Sequence, residues 1–582
     1  MKNKIAPFLF LLAAAICSLA ACGPDQDSTI SSTAQVTPII PVADVIYVGG
    51  TVVTVDDTNP TAEALAVKDG LIAAVGSRAE VMAMRDDHTQ VIDIGGLTIV
   101  PGFVDGHAHF LGFGAQAVGA TLLAPPDGNV ETIDDLVVAL KEFAESPDAR
   151  RTGWIFGTGY DDSILAEGRH PTADDLDQVS TDKPVMAVHI SGHFSVVNSA
   201  GLAKIGYTAD TEDPEGGIIR RRPGTREPNG VLEELASIPH MFRAVMPTGE
   251  EDQEYFMERG QDMAVRFGYT TAQEGRALKS QHDSMVQFAE KGLFDIDVVS
   301  YIDYTDRAVI ESEWHSREYR NRYRIGGMKI TLDGSPQGRT AWRTKPYLIP
   351  PDGQSNSYLG YPAIPDDSVV ASLFEEAFAK KWQVLTHANG DAAIDQFIRA
   401  IRPALEKHGP ADRRPVLIHG QFVRQDQLDA LKELNVMPSL FPMHTYYWGD
   451  WYDQIIGPEL AQQISPMRSA LDRGMLVTSH TDAPVALPNL MQVMFTTVNR
   501  TSRSGKVMGP DERITPLEAL KSVTIWGAYQ HFEEGRKGSI EVGKLADLVL
   551  LSDNPLTIDA TLLNKIAVVE TIKEGKTVFH AE

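Results

Sequence analysis

The chain has 582 residues, of which 43% are hydrophobic and 23% charged, and this ordinary composition excludes a disordered, collagen-like or repeat protein. The length exceeds the usual limit for one compact domain, so we expect a large domain with attachments or insertions. The 79 acidic and 52 basic residues give a formal net charge of −27 at pH 7, which repels polyanions, and we therefore expect no nucleic-acid partner.

The first 22 residues have the features of an export signal. A basic start, MKNK, precedes the apolar run IAPFLFLLAAAI, and the segment ends in LAAC. The run is too short for a membrane-spanning helix, and the pattern resembles a bacterial lipoprotein signal that is cleaved before Cys22, leaving Cys22 lipidated. We expect an exported lipoprotein in the outer membrane, facing the periplasm, whose only membrane contact is its lipid anchor. An ordinary signal peptide without lipid is the alternative. The other cysteine, Cys17, lies in the removed segment, so we expect no disulfide and no cysteine ligand to a metal.

Both ends of the remaining chain predict β-structure. Residues 23–42 are rich in Ser, Thr and Pro and predict a flexible tether. Residues 43–99 contain short β-rich runs separated by Gly-Gly or Asp-Gly, which predict a small antiparallel sheet, and residues 541–582 have the same character. Two half-sheets from opposite ends of the chain predict one composite β-sandwich, which brings the chain ends together.

Residues 100–540 alternate short apolar strands with helical stretches, which is the pattern of a parallel α/β fold. A segment of about residues 111–265 separates the first two strands and is too long for a loop, so we expect an ordered insertion over the barrel mouth. Eight candidate strands can be counted, the number that closes a (β/α)8 TIM barrel: TIVPGFVDG, YTTAQEG, IDVVSYID, GGMKITLDG, WQVLTHANG, RPVLIHGQ, NVMPSLF and MLVTSHTDAP.

Six polar side chains lie at or near the carboxyl ends of these strands, where barrel enzymes hold their chemistry. The two histidines of GFVDGHAHF are two residues apart, so on a strand they share one face and can bind one ion. Each of the six alone has a plain structural explanation, as a hydrogen-bonded core residue or a turn cap. Together at one end of one barrel they favour a site for Zn²⁺ or a similar divalent ion. They are His107, His109, Lys329, His387, His419 and Asp482.

Six motifs, several of which contain these residues, follow one another along the chain in the order found in one family. They are PGFVDGHAHF, KITLDGSPQGRTA, HANGDAAID, SHTDAPV, ITPLEALKSVT and KGSIEVGKLADLVLL. By these motifs the chain resembles the amidohydrolase superfamily, and within it the amidohydrolase family 3, or YtcJ-like, branch. The resemblance covers essentially everything after residue 43. It implies a metal-dependent barrel that hydrolyses carbon–nitrogen bonds in amides, formamides or cyclic amides.

The resemblance also implies a ligand set. His107, His109 and Asp482 would bind one metal, and His387 and His419 a second. Lys329 would bridge the two ions after carboxylation of its Nζ by CO2, because a carbamate offers two anionic oxygens. A mononuclear site with unmodified Lys329 stays open. The metals, with Zn²⁺ as first choice, would supply hydroxide from bound water, and Asp482 would carry the proton from water to the leaving nitrogen.

Other residues have less defined roles. His193 in SGHFSVVN matches a histidine of the family insertion and either contacts the substrate or its developing oxyanion, or makes a structural hydrogen bond. His480 lies two residues before Asp482 and could add a polar group to the site. The aromatic-rich segment LFPMHTYYWGDWYDQ, with Tyr446, Tyr447 and Trp448, predicts either a pocket wall for a bulky or aromatic substituent or simple packing against the insertion.

The leading functional hypothesis is a metal-dependent amidohydrolase that acts on a small-molecule amide with a bulky or aromatic group. A deaminase or cyclic-imidate hydrolase on the same barrel is the enzymatic alternative. A catalytically inactive, surface-bound binding lipoprotein is the alternative from another class, and the complete ligand set argues against it. The sequence leaves the oligomeric state open, because this fold hosts many chemistries and assemblies.

Overall fold

The structure, a computed structural model, describes residues 42–214, 216–351 and 353–581. The predicted signal peptide (1–22), the lipidation site Cys22 and nearly all of the predicted tether (23–42) lie outside the described residues, so export and lipidation stay predictions. Within the described ranges, every helix is too short or too polar to cross a membrane.

An eight-stranded parallel sheet forms the centre of the fold, as predicted. Each neighbouring pair of strands is parallel, and the strands are buried almost throughout because helices cover one face and packed side chains the other. Beyond the ends of the first and last strands, His109 N donates to Ala483 O (2.8 Å) and Asp482 N donates to His107 O (3.2 Å), which joins the two edges of the sheet. In sheet order the strands are Phe103–Val104, Tyr269–Ala277, Asp297–Asp303, Tyr323–Thr331, Gln383–Ala388, Val416–His419, Met437–Leu440 and Thr478–Ser479.

Helices follow most of the barrel strands, and several of them begin at a residue whose side chain caps the helix. At the start of the helix Asp367–Ala379, for example, the Asp366 carboxylate accepts a hydrogen bond from the backbone nitrogen of Ser368. Outside the insertion the α-helices are Arg78–Met82, Lys279–Glu290, Asp367–Ala379, Asp391–His408, Gln425–Glu433, Met443–Tyr447, Gly449–Ile455, Pro458–Ala461, Met467–Asp472, Leu490–Asn499, Pro516–Ser522 and Ile525–Gln530. Short 3₁₀ helices span Tyr304–Glu311, Pro510–Glu512 and Ala560–Lys565.

Two further sheets contain the terminal strands. The six-stranded sheet combines strands from both ends of the chain, which confirms the composite arrangement: Lys576–His580, Val568–Lys573, Leu548–Leu551, Thr98–Pro101, Thr51–Val53 and Thr61–Ala62. The four-stranded sheet contains Leu71–Gly76, Ala64–Lys68, Val45–Val48 and Gln90–Asp93. Both sheets include parallel pairs, so the prediction of a purely antiparallel sheet is wrong.

The run from Thr98 to Val104 is divided between two sheets, so the prediction that all of it forms the first barrel strand is wrong. Thr98–Pro101 pairs antiparallel with Leu548–Leu551 in the terminal sheet, and only Phe103–Val104 joins the barrel. The chain crosses at Gly102, where a Cβ would lie 2.3 Å from Thr270 Oγ1. Glycine is needed there because the backbone passes directly against the second barrel strand.

The predicted insertion is ordered and has its own sheet and apolar core. Its six strands, in sheet order, are Gly217–Arg221, Pro228–Glu234, Phe194–Val197, Val185–His189, Ile155–Tyr160 and Ala120–Thr121. Its helices are Phe110–Val118, Ile133–Ala144, Ala173–Asp177, Ser199–Ile205, Ile238–Val245 and Glu250–Arg266, with a 3₁₀ turn at Pro147–Arg150. The first and last of these helices are in close contact, since a Cβ at Gly260 would lie 2.8 Å from Gly114 N. This packing brings the two ends of the insertion together at the barrel.

A buried ion-pair network joins the barrel to the terminal sheet. Asp297, on the third barrel strand, accepts from Lys537 Nζ (2.5 Å) and from Lys573 Nζ (2.6 Å), and Lys573 also donates to Asp547 (2.8 Å). Burial alone would raise the pKa of Asp297, but the two ammonium groups lower it below its ordinary value. Each charge is therefore compensated, and removal of one would leave a buried carboxylate without its partner.

We expect Lys573→Met to lower the free energy of unfolding by about 3–5 kcal/mol, because it leaves Asp547 and part of the Asp297 charge uncompensated in the interior. Urea denaturation measures the change. Lys576→Met, at an exposed position on the adjacent strand, is the control and should change stability by less than about 0.5 kcal/mol. Equal effects of the two substitutions would contradict a stabilising role for the network.

Candidate active site

His107 and His109 lie in the turn between the first barrel strand and the helix Phe110–Val118, not on the strand as predicted. The side-chain oxygen of Gln273 lies 2.6 Å from His107 Nδ1 and leaves Nε2 to face the site. Glu274 Oε1 lies 3.5 Å from His109 Nδ1 in the same way. Gly275 follows these two polar residues, and a Cβ there would lie 2.2 Å from the His107 ring. The second barrel strand therefore orients both imidazoles.

Asp482 lies three residues beyond the last barrel strand and faces both histidines. Its Oδ1 lies 3.6 Å from His107 Nε2 and 3.5 Å from His109 Nε2, while its Oδ2 lies 3.9 Å from His419 Nε2. The backbone φ of Asp482 is +52°, a left-handed conformation that costs energy for a residue other than glycine. The carboxylate is thus held between the two groups of histidines by a strained turn.

Lys329, His387 and His419 complete the predicted set on the fourth, fifth and sixth strands. Lys329 is buried, and its Nζ lies 2.8 Å from His107 Nε2. His419 Nε2 lies 3.0 Å from His387 Nδ1, while the opposite nitrogen of His387 faces the carbonyl oxygen of Gly334 at 3.3 Å. The structure therefore brings all six predicted side chains together.

The electrostatics of the site favour neutral imidazoles and a weakly basic lysine. Burial lowers the pKa of His107, His387 and His419 well below the ordinary value and lowers that of Lys329 to about 7. His109 is the exception, because the carboxylates of Asp482 and Glu274 outweigh the effect of burial and raise its pKa to about 9. The carboxylates thus provide negative charge that a proton, or a cation, would compensate.

These residues fit a divalent cation. Within the described ranges Asp482 Oδ1 is buried and has no hydrogen-bond donor, although it lies beside two imidazole nitrogens that face it. One ligand atom from each of His107, His109 and Asp482 falls within 4.8 Å of the others. Nitrogen and carboxylate ligands at such a spacing suit Zn²⁺. His387 and His419 could hold a second ion if a carboxylated Lys329 supplied an anionic bridge.

A second group, Asp161, Asp162 and His189 in the insertion, has a similar spacing but different surroundings. Ser163 and Trp448 Nε1 donate to the two oxygens of Asp161. His189 bonds Ser191 through one ring nitrogen and Asp162 through the other. Because protein partners occupy these ligand atoms, the barrel group is the better metal site.

A cavity of about 160 Å³ is lined by five of the six side chains, namely His109, Lys329, His387, His419 and Asp482. Its apolar wall comes from the insertion and the segment after Asp482, and includes Leu111, Ile190, Ile238, Phe242, Met246 and Val485. His193 also lines it, and its Nδ1 donates to Glu234 Oε2 at 2.7 Å. Burial lowers the pKa of His193, but Glu234 more than offsets this and raises it. Arg276 is held at the same cavity by its bond to Asp303 (2.6 Å).

Of the residues predicted to contact the substrate or to add polar groups to the site, Tyr446, Tyr447, Trp448 and His480 do not line this cavity, whereas His193 does. Trp448 is buried and donates to Asp161, and the Tyr447 hydroxyl donates to Asp127. The Tyr446 ring packs edge-on against Phe495, 6.2 Å away. His480 is buried, stacked on Phe441, with its ring 5.1 Å from that of His419. The aromatic segment thus packs against the insertion, which was the second of the two interpretations of its sequence, and does not form the pocket wall.

Sequence reasoning missed several residues of the site. The motif AQEGR, at the carboxyl end of the second predicted strand, contains Gln273, Glu274 and Arg276. Their place at the end of a barrel strand is the signal that could have identified them. The amphipathic stretch IPHMFRAV, which forms the helix Ile238–Val245, was the signal for the apolar wall.

Comparisons with known proteins agree with this geometry. Residues 90–579 match the profile of a family described as the amidohydrolase family. The chain is 26% identical to YtcJ of Bacillus subtilis over 92% of this chain and 99% of that protein. It is also 26% identical to an N-substituted formamide deformylase of Arthrobacter pascens over 91% of this chain and 97% of the relative. A crystal structure of a metal-dependent hydrolase from Pyrococcus horikoshii covers 89% of this chain and 99% of its own with a TM-score of 0.70 at 22% identity, which supports the fold.

Purified His107→Ala and Asp482→Ala proteins should retain less than about a tenth of the wild-type metal, since loss of one ligand typically weakens such sites by orders of magnitude. Inductively coupled plasma mass spectrometry measures metal per chain. Asp162→Asn, in the second group, is the matched control and should keep the wild-type content. Metal loss in the control but not in the barrel variants would contradict the assignment.

Zinc affinity should rise about tenfold per pH unit between pH 6.5 and 8.5 and level off near pH 9. The reason is that His109, whose pKa is raised to about 9, carries a proton in this range that the ion must displace. Competition with a chelator of known affinity, repeated at each pH, measures the slope. A flat profile would show that His109 is not protonated in the metal-free protein.

Proposed function

The chain belongs to the amidohydrolase family, and we propose that it is a metal-dependent hydrolase that cleaves the carbon–nitrogen bond of a non-peptide amide, formamide or cyclic amide. The observation that carries the proposal is the buried Asp482 Oδ1, which lacks a hydrogen-bond donor among the described residues and faces two imidazole nitrogens beneath a cavity. That arrangement suits a site that binds a cation and activates water.

Divalent ions held by these six residues, with Zn²⁺ as our first choice, would make water acidic enough to supply a nucleophile and would polarise the substrate carbonyl. Asp482 is placed to accept the proton from water and to return it to the nitrogen. The water oxygen bonds to the carbonyl carbon, the carbon–nitrogen bond breaks, and the amine leaves with the proton that Asp482 carried. Water and amide thus become a carboxylic acid and an amine.

Two features support a two-ion site with a carboxylated lysine. Lys329 lies between the groups of histidines, 2.8 Å from His107, where a bridging ligand is needed. Burial also lowers its pKa to about 7, so a large fraction of its amine is neutral near that pH and able to react with CO2. The reaction joins Nζ to the carbon of CO2 and releases one proton. We propose N6-carboxylation of Lys329 on these grounds.

His193 is proposed as a substrate-facing group. Glu234 holds its Nδ1, and Nε2 makes no hydrogen bond within the described ranges while the side chain lines the cavity. From that position Nε2–H can donate to the carbonyl oxygen as negative charge develops there. Glu234 then acts as a positioning residue, since it fixes the ring and favours the protonated form.

The substrate is proposed to combine a small acyl group with a bulky apolar or aromatic substituent on nitrogen. The relative from Arthrobacter pascens is named for action on N-substituted formamides. The cavity next to the six side chains is small, about 160 Å³, and its wall is mainly apolar. When an apolar substituent displaces water from this wall, the buried apolar surface makes the free energy of binding more favourable.

Zinc-loaded protein should release benzylamine from N-benzylformamide, and Phe242→Ala should lower kcat/KM for this substrate about tenfold more than for N-methylformamide, because the ring contact is lost. Chromatography of the released amine measures both rates. Tyr446→Ala, an aromatic truncation away from the cavity, is the control and should change both rates equally. Equal losses in Phe242→Ala would contradict the assignment of the apolar wall.

Product identity separates the alternatives. Ammonia released from amino-substituted heterocycles, with no amine released from formamides, would favour a deaminase. Cleavage confined to cyclic imidates would favour that reaction. Absence of any hydrolysis by metal-loaded protein across amides and esters would favour the binding lipoprotein.

A further inference from the structure

A groove of about 520 Å³ adjoins the cavity of the candidate active site. It lies between the helix Ile238–Val245, the segment that follows this helix and the beginning of the helix Lys279–Glu290. Four residues line both spaces, namely Leu111, Phe242, Met246 and Gln281. These four side chains form the boundary between the two spaces, which we call the neck.

The groove is chemically an apolar site. Its buried floor contains Phe256 and Met257, and Leu278 at its edge is 37% exposed, which leaves apolar surface in water. Some polar groups of the rim are bonded to one another, and Arg243, Thr248 and Ser280 also line the groove. Ser284 Oγ donates to Gln253 Oε1 (3.0 Å), and Gln253 Nε2 donates to Pro247 O (3.1 Å). A polar ligand would have to break these bonds, whereas an apolar one would leave them intact.

Size also connects the groove to the active site. The inner cavity of about 160 Å³ is smaller than the roughly 300–1,000 Å³ typical of small-molecule pockets. The inner cavity suits the reacting group alone, while the groove of about 520 Å³ brings the total into that range. Phe242 and Met246 in the neck are only partly buried, so their side chains have room to turn.

We propose that this groove is the second compartment of the substrate site and that it takes the distal part of an extended apolar substituent on the amide nitrogen. The reacting amide lies above the six metal-ligand side chains, and the substituent passes between Phe242 and Met246 into the groove. The proposal rests on the proposed function for the identity of the reacting group. It goes further by assigning the substrate class as amides with long N-alkyl or N-arylalkyl chains.

N-alkylureas from N-methylurea to N-octylurea are suitable probes, because a urea has the carbonyl and nitrogen of the amide but resists hydrolysis. Isothermal titration calorimetry on metal-loaded protein measures each dissociation constant. We expect affinity to rise about three- to fourfold per added methylene once the chain enters the groove. A flat series in the wild-type protein would overturn the proposal.

Two substitutions that fill the groove provide the structural test. Ser284→Trp and, independently, Ser280→Trp should abolish the gain from chain length while leaving the affinity for N-methylurea within about twofold, because both positions line the groove and neither lines the inner cavity. Gln287→Trp, at an exposed position on the same helix, is the matched control and should keep the full series. Thermal unfolding establishes that each variant is folded.

An unchanged chain-length series in both groove variants would overturn the proposal. A flat wild-type series, if analytical ultracentrifugation also finds a wild-type dimer that Ser284→Trp converts to a monomer, would overturn it too, since the groove would then be an interface between copies. The proposed function is tested separately by amine release. A chain-length effect without hydrolysis would support the groove and contradict the enzyme, and hydrolysis with a flat series would do the reverse.

Discussion

The structure depends on potential metal ligands that converge at the carboxyl ends of the barrel strands. Asp482 Oδ1 and the Nε2 atoms of His107 and His109 face one another at 3.5–3.6 Å, and within the described ranges this oxygen has no donor. Buried polar groups that have lost their water without forming full hydrogen bonds cost free energy, and the charge of the Asp482 carboxylate is compensated by a proton on His109 or, in its place, by a bound cation. Left-handed backbone at Asp482 and at His419, with φ values of +52° and +73°, adds to that cost. The rest of the fold holds this unfavourable geometry in place.

The insertion contributes directly to that geometry. It begins with the helix that follows His109, so the ligand turn and the first element of the insertion are continuous in the chain. On the opposite side, Trp448 and Tyr447 donate to Asp161 and Asp127 of the insertion. The aromatic segment after the seventh strand therefore attaches the insertion to the barrel. The insertion in turn supplies the apolar wall and His193. The same part of the chain therefore contributes both to the substrate cavity and to the position of the metal ligands.

The two ends of the barrel differ in how their buried charges are compensated. At the carboxyl ends of the strands, the Asp482 carboxylate is compensated by a proton on His109 or, in its place, by a bound cation. At the other end, Asp297 is fully compensated by Lys537 and Lys573, which fixes the terminal sheet against the third strand. The complete network gives a rigid base, because each buried charge has its partner. This rigidity at the amino ends of the strands helps to hold the strained backbone of Asp482 and His419 at the carboxyl ends.

The sequence by itself determined the strand order, the composite terminal sheet and the six residues His107, His109, Lys329, His387, His419 and Asp482. It could do so because parallel strands of a barrel end at one face, so polar residues at those ends must meet whatever the loops do. The sequence did not determine that His107 and His109 lie in a turn, since a two-residue strand and a longer one give the same apolar pattern. Only the tertiary structure decided which residues wall the cavity. Phe242 and Met246 reach it, while Tyr446, Tyr447 and Trp448 do not, because that choice depends on how an insertion of about 150 residues docks, and contacts between segments so distant in the chain leave no local periodicity to detect.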